Sequence, residues 1–243
     1  MTRPPTPDLT GRTVMVTGAS RGLGRALSEA FAGAGSNLVL CARGASPLEE
    51  LATDLGARGA VVEWAAADVT DADAIGSLVR RAERRLGGVD VLVNNASLLG
   101  SRVPLAAQPL EEWRAVLEVN VTGALIVTRA VLPGMRQRGG GSIINVSSGV
   151  GDQPRVGWGA YAVSKWALEA LTWNLALEER GAGIRANVVD PGGMRTRMRR
   201  AAYPDEDPGT LPEPDAVTPV FLWLASDDAA GWTGERLRAQ EWP

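Results

Sequence analysis

Short aliphatic runs alternate with longer helical patterns along almost the whole chain. The runs are TVMVT from Thr13, NLVLCA from Asn37, AVVEWAA from Ala60, VDVLVNN from Val89, SIINVS from Ser142 and IRANVVD from Ile184. Between and after them lie helical patterns at about 22–34, 47–55, 72–86, 110–137 and 157–179. Continuous apolar runs of this length predict strands covered on both faces. Alternation with helices then predicts a doubly wound α/β fold: a parallel sheet of about seven strands, right-handed crossovers and helices on both faces. Ser46 before Pro47 and Asp71 before Ala72 are the residue types that cap helix N-termini. In such a fold ligands bind at the carboxyl ends of the strands.

The first strand runs directly into TGASRGLG, Thr17 to Gly24, and then into the apolar helix RALSEAFAGAG. Gly18, Gly22 and Gly24 permit a tight turn and close approach of a pyrophosphate to main-chain amides, and the helix N-terminus favours an anion. Strand, turn and helix together predict a nucleotide site, with Ser20, Arg21 and Leu23 completing the turn. Enzymes using NAD carry an acidic residue at the end of the second strand for the ribose 2′-hydroxyl. This chain has Ala42 there, followed by Arg43, and Arg21 adds a second guanidinium suited to phosphate oxygens. We therefore expect NADP(H) rather than NAD(H), against the plainer reading of both arginines as solvated turn charges.

The chain has a single lysine, Lys165, four residues after Tyr161, itself one of two tyrosines. On a helix this spacing stacks the two on one face, where an ammonium can stabilise a phenolate and make the tyrosine an acid-base group. Histidine is absent, which removes Ser-His-Asp triads and His-ligated zinc, and no metal site is expected. The one cysteine, Cys41, falls in an apolar run and reads as a small buried hydrophobe, in keeping with a reducing cytoplasm. A net charge of −3 argues against a nucleic-acid surface.

In order, TGASRGLG, NNAS, VNVTG, a serine pair, YAVSK and DPGG resemble the short-chain dehydrogenase/reductase family over nearly the whole chain. The spacing TGxxxGxG combined with YxxxK is the specific part. The resemblance implies one Rossmann-type domain over 1–243, with Tyr161 as general acid or base and Lys165 binding the nicotinamide ribose while lowering the tyrosine pKa. It implies further that Ser148, thirteen residues before the tyrosine, polarises the carbonyl, and that Asn120 holds a proton-relay water. Ser147 competes with Ser148, but alternate strand residues face opposite ways and Ser147 is expected to face the sheet. Asn120 sits inside a helical pattern that its type disfavours.

The same resemblance implies cofactor contacts from Gly18, Ser20, Arg21, Gly22, Leu23 and Gly24 in the turn and from Arg43 after the second strand. Asp68 would bond the adenine, with Val69 beside it, unless Asp68 is a plain turn residue. Asn94 and Ala96 would line the strand end, and Pro191, Gly192 and Thr196 the nicotinamide side. Tyr161 and Lys165 also belong to this set.

Two departures stand out. Ser97 replaces the usual glycine of NNAG, and the chain ends LRAQEWP without a VDGG-type tail. Residues 193–214 correspond to a substrate lid, where Arg195, Arg197, Arg199 and Arg200 meet an acidic substrate or form a solvated face. Trp166, Ala170, Trp173 and Leu177 form a stripe apart from the apolar face of their helix, so a homodimer or homotetramer is expected. The N-terminal residues lack the apolar core of a signal peptide, and no apolar run approaches membrane-spanning length. The expected function is hydride transfer between NADP(H) and a small carbonyl or alcohol substrate. The alternatives are an NAD(H)-dependent alcohol or sugar dehydrogenase and a non-catalytic dinucleotide-binding sensor.

Overall fold

The computed structural model describes residues 6–242. In chain order the elements are β1 Thr13–Thr17, α1 Gly22–Gly33, β2 Asn37–Ala42, α2 Ala45–Ala57, β3 Val62–Ala66, α3 Ala72–Leu86, β4 Val91–Asn94, α4 Leu110–Leu117, α5 Ala124–Arg138, β5 Gly141–Val146, α6 Gly159–Glu178, β6 Ile184–Asp190, α7 Arg197–Ala202, α8 Pro219–Ala225 and β7 Arg236–Arg238. All seven strands pair in parallel, in the order β3-β2-β1-β4-β5-β6-β7. This matches the expected doubly wound, Rossmann-like sheet.

Strand periodicity sorts the core into two layers. Val14 and Val16 join Leu38, Leu40, Phe31 and Phe221 on the side of α1, α2 and α8. Met15 lies on the other side with Val39, Cys41, Leu92 and Ile143, against α3, α5 and α6. Each such buried aliphatic or aromatic side chain contributes about 1.5–3 kcal/mol. The order reverses between β1 and β4, so a crevice opens where their following loops diverge.

The two helix starts expected from capping residues divide. Asp71 caps α3 by accepting hydrogen bonds from the amides of Asp73 and Ala74, at 3.1 and 3.0 Å. The expected cap at Ser46 is not used: α2 starts two residues earlier from Gly44, and Ser46 lies inside the helix. Pro47 remains tolerated there because the first turn lacks intrahelical acceptors for its amides.

From Leu110 to Arg138 the chain forms one 29-residue helical run, interrupted at Glu118–Gly123 by a π turn between α4 and α5. By length and composition this helix is apolar enough to cross a membrane, which corrects the expectation that no segment approaches that length. Here it lies along α3 and α6, with Val116, Val127, Val131 and Met135 buried.

The unusual tail folds back rather than trailing. β7 pairs with β6, and Trp242 packs on Trp223 at 4.6 Å between ring centroids, while Trp223 meets Trp232 edge-on at 5.1 Å. Gln240 Nε2 donates to the Gly193 carbonyl at 2.6 Å, tying the tail to the start of the 193–214 segment.

Candidate active site

The crevice is built first from main chain. Gly18 and Gly22 have φ of +66° and +53°, a region that favours glycine. A Cβ on Gly18 would lie 2.9 Å from the Ala96 Cα, and one on Gly24 would lie 2.2 Å from the Gly18 carbonyl oxygen. Thr17 Oγ1 accepts from the amides of Asn95 and Ala96, both at 3.0 Å, and Asn95 Nδ2 donates to the carbonyls of Thr17 and Gly18. Asn95 thus locks the β4 loop to the turn, a role that the sequence reading missed although the doubled asparagine of NNAS marks it.

The first turn of α1 has neither a side-chain cap nor an acidic residue, so its amides are available to an anion. Leu23 is buried in the core beneath the turn, while Ser20 is partly exposed beside it. This geometry fits a dinucleotide pyrophosphate.

Beyond the turn, burial and the neighbouring charges of Arg197 and Arg43 push the Arg21 guanidinium pKa down. None of these three arginines is in an ion pair among the described residues, whereas Arg25, Arg195 and Arg199 are all paired with carboxylates. Uncompensated like charge of this kind suits a phosphate. Arg197 is an addition to the expected pair, contributed from the 193–214 segment, whose Thr196 methyl would stand 3.4 Å from a Cβ on Gly22.

Other expected cofactor positions divide. Asp68 does form a turn, its Oδ1 accepting from the amide and hydroxyl of Thr70 at 3.0 and 2.8 Å. Val69 is buried against the π turn, where a Cβ on Gly123 would meet it at 2.6 Å. Ala96 lies against Gly18, as expected of the strand end. Asn94, by contrast, turns its side chain inward: Nδ2 donates to Asn145 Oδ1 at 2.9 Å and Thr128 Oγ1 at 3.1 Å. Thr196 caps α7 by accepting from the Arg199 amide at 3.1 Å, which leaves its hydroxyl proton to donate. Buried Pro191 and exposed Gly192, the latter at φ +71°, turn the chain out of β6.

The expected acid-base group lies near the carboxyl end of β5. Tyr161 and Lys165 are on α6, both buried, with the ammonium 5.5 Å from the phenol ring centroid. Lys165 Nζ donates to the Val146 carbonyl at 2.8 Å, and burial brings its pKa down to about 8 against the opposing pull of Glu169 and Asp190. Burial pushes the Tyr161 phenol up to about 12. Burial thus outweighs the lowering expected from Lys165. Ser148 and Ser97 stand near enough to favour the phenolate, although Ser97 Oγ is buried without a hydrogen bond of regular geometry. We treat both as neighbours of the phenol rather than closed partners.

Ser147 faces away, as expected for alternate strand positions, and its hydroxyl donates to Glu169 on α6. Asn120 occupies the π turn, a helix irregularity found often at functional sites. Its Oδ1 accepts from the Leu98 amide at 2.7 Å, while Nδ2 donates to the Leu98 carbonyl and to Ser164 Oγ, both at 2.9 Å. With both side-chain donors in use, a relay water is better served by the main chain of this turn.

Above the phenol, Trp158 packs at 5.6 Å from Tyr161 and 5.8 Å from Tyr203, and Arg102 stacks over Trp158 and Tyr203 at 4.6 Å from each ring. Tyr203 of the 193–214 segment thus joins Trp158 and Arg102 in a wall beside Tyr161. Cys41 is buried and its thiol pKa is raised to about 12, which suits an inert core residue. Among the described residues no cluster of carboxylate or thiol groups could hold a metal.

The comparisons follow this geometry. A family model described as short chain dehydrogenase matches residues 12–207. The chain is 36% identical over 235 residues to the uncharacterized oxidoreductase YciK of Escherichia coli K12, covering 96% of this chain and 93% of the relative. It is 34% identical over 235 residues to the 3-oxoacyl-[acyl-carrier-protein] reductase FabG of the same strain, covering 93% and 95%. A short chain dehydrogenase from Shigella flexneri 2a, solved in complex with NADP, superposes with a TM-score of 0.92 at 35% identity, covering 97% of this chain and 99% of that one.

The crowding at Gly24 predicts an inverted substitution pattern. Gly→Ala in an open helix stabilises by about 0.4–1 kcal/mol, and Gly33, with nothing within 4 Å of its would-be Cβ, should follow that rule. Gly24→Ala should instead destabilise by about 1–3 kcal/mol. Urea unfolding of the two variants checks this, and equal effects at both positions would refute the close approach.

Proposed function

The chain belongs to the short chain dehydrogenase family, and from that membership we propose that it transfers a hydride between NADP(H) and a small carbonyl or alcohol substrate. The observation that carries the reading is the convergence of Tyr161, Ser148 and Lys165 beside a glycine turn built without room for side chains. When bound, the nicotinamide supplies or accepts the hydride. Gly18, Gly22 and Gly24 would seat the pyrophosphate, Arg21, Arg43 and Arg197 the 2′-phosphate, and Lys165 the nicotinamide ribose. Asp68 would hold the adenine through its free Oδ2, and Asn94 would contribute only through its main chain.

Carbonyl reduction builds negative charge on oxygen, and donors that strengthen as the charge grows lower the barrier. Tyr161 delivers the proton from its hydroxyl, and Ser148 donates to the same oxygen. The raised phenol pKa suits this direction, because the proton-bearing form dominates throughout the neutral range. Asn120, through the main chain of the π turn, and Lys165 then return a proton to Tyr161 from solvent. The 193–214 segment acts as the substrate lid, with Trp158, Tyr203 and Arg102 excluding water from the reacting end.

Three outcomes test this function. A panel of ketones and aldehydes assayed with both cofactors should show turnover with NADPH exceeding that with NADH, and Arg43→Ala should raise the KM for NADPH about tenfold or more. NADH preference in the wild type would sink the cofactor assignment, and binding without turnover across the panel would favour a sensor.

Alcohol oxidation requires the phenolate, the minor form below a pKa near 12. Its kcat/KM should therefore climb about tenfold per unit between about pH 6 and 9, while reduction varies little with Tyr161 ionisation. A flat oxidation profile would overturn Tyr161 as the base.

Trp166, Trp173 and Leu177 stand exposed on α6 at 47, 42 and 76%, in an apolar stripe at helical spacing. This face would bury itself against a second copy. Light scattering at about micromolar concentration should report a dimer or tetramer, and Trp173→Glu should dissociate it; a monomeric wild type would refute the interface.

A further inference from the structure

Directly behind the reacting groups lies a buried ionic cluster that none of the expected site residues explains. Its centre is Arg236, from the last strand. The guanidinium Nε donates to both carboxylate oxygens of Glu169 at 3.1 and 3.2 Å, and Nη1 meets Asp152 Oδ2 at 3.1 Å. Nη2 donates to the main-chain carbonyl of Ser148 at 3.1 Å and reaches Asp190 Oδ2 at 3.4 Å. One side chain from β7 therefore touches α6, the end of β6 and the loop that presents Ser148.

The arrangement is built rather than incidental. Glu169 lies one turn after Lys165, and its side chain is 1% exposed. It is held from the other side by the Ser147 hydroxyl, and a Cβ on Gly151 would lie 2.4 Å from both Glu169 Oε1 and Ser147 Oγ. Asp190 is fixed by accepting the Gly192 amide at 3.0 Å. A buried carboxylate of this kind is costly unless paired, and removing one partner strands the other.

We propose that Arg236 is a positioning residue of the active site, holding Ser148 through its carbonyl and neutralising Asp190, which faces Tyr161, and Glu169, which faces Lys165. The proposal rests on the acid-base reading of Tyr161. The charges facing Tyr161 are Lys165 on its own helix and Asp190 on β6, with the neutral hydroxyls of Ser97 and Ser148 alongside. Those facing Arg236 are Asp152, Glu169 and Asp190, and Arg238 shares Asp152 at 3.1 Å. Asp190 raises the pKa of both Tyr161 and Lys165, and Glu169 raises that of Lys165. Without Arg236, both carboxylates lose their hydrogen-bonded cation and keep Lys165 facing them. Without the Glu169 charge, Arg236 acts in excess.

These signs give a test that a merely structural role does not pass. The pH midpoint of Tyr161 ionisation is read from tyrosinate ultraviolet absorbance in the full chain carrying Tyr203→Phe, which leaves Tyr161 as the sole tyrosine. In that background Glu169→Gln, which keeps the acceptor for Ser147, should lower the midpoint by roughly one pH unit. Arg236→Met should shift it upward instead, and the double variant should return it toward the parent value. Arg236→Lys keeps the charge but cannot reach all four partners, so the midpoint should hold while kcat falls about tenfold through the loosened Ser148.

Midpoints that shift in the same direction in the two single variants, or do not shift at all, would overturn the proposal. Should Arg236→Met fail to fold, the signs for Glu169→Gln and Arg236→Lys decide alone. The titration needs no substrate, so absence of carbonyl turnover by the wild type would count against the proposed function while leaving this test intact.

Discussion

The close approach of the Gly18 turn to the end of β4 is the contact on which the rest of the structure depends. Two strands that are neighbours in the sheet send their following chains in opposite directions, and the gap between them is closed only by main chain. A Cβ at Gly18 or Gly24 would fill it, and Thr17 and Asn95 hydrogen-bond across it. The crevice, the anion-attracting start of α1 and the placement of Ala96 and Ser97 all follow from that contact. Strands β1, β2, β4 and β5, buried on both faces, hold it in place through the two core layers.

Burying a lysine is the second constraint, and it explains why the only lysine is at this position. An ammonium removed from water is destabilised unless it is paired or bonded, and its pKa falls accordingly. Lys165 is 2% exposed and has only the Val146 carbonyl as a direct acceptor. The carboxylates of Glu169 and Asp190 support its charged form from behind, while Arg236 restrains them from the other side. The candidate site is thus two layers deep, with Tyr161 and Lys165 in front and the ionic contacts of Arg236 behind them.

Much of this was legible in the sequence because it is carried by period and punctuation. Apolar runs marked six of the seven strands but not the short, charged β7, Asp71 marked a helix start, and the glycine turn lay between a strand and a helix where its chemistry requires it. Asn120 was conspicuous as a poor helix former, and the π turn is the physical reason it is tolerated. Less legible were interactions that join residues far apart in the chain. Arg236 and Glu169 are 67 positions apart, and nothing local to either announces the pair. Asn94 looked like a lining residue, but the pleat turns its side chain to Asn145, and Asn95 takes the position at the turn. The helix start at Gly44 likewise depended on the turn after β2 rather than on the stronger capping residue two positions later.

The altered tail connects these layers to the lid. In a chain lacking a VDGG-type ending, β7 still pairs with β6, and that register carries Arg236 beneath Ser148 while Gln240 reaches the Gly193 carbonyl. The tryptophan cluster around Trp223 fixes the tail against α8, so the register does not depend on the three strand residues alone. A strand that short contributes few ladder hydrogen bonds, and its stability comes from side-chain packing. The same segment therefore bonds both the back of the candidate site and the start of residues 193–214. Displacement of the tail would disturb Ser148 and residues 193–214 together, through two separate hydrogen bonds from residues four positions apart.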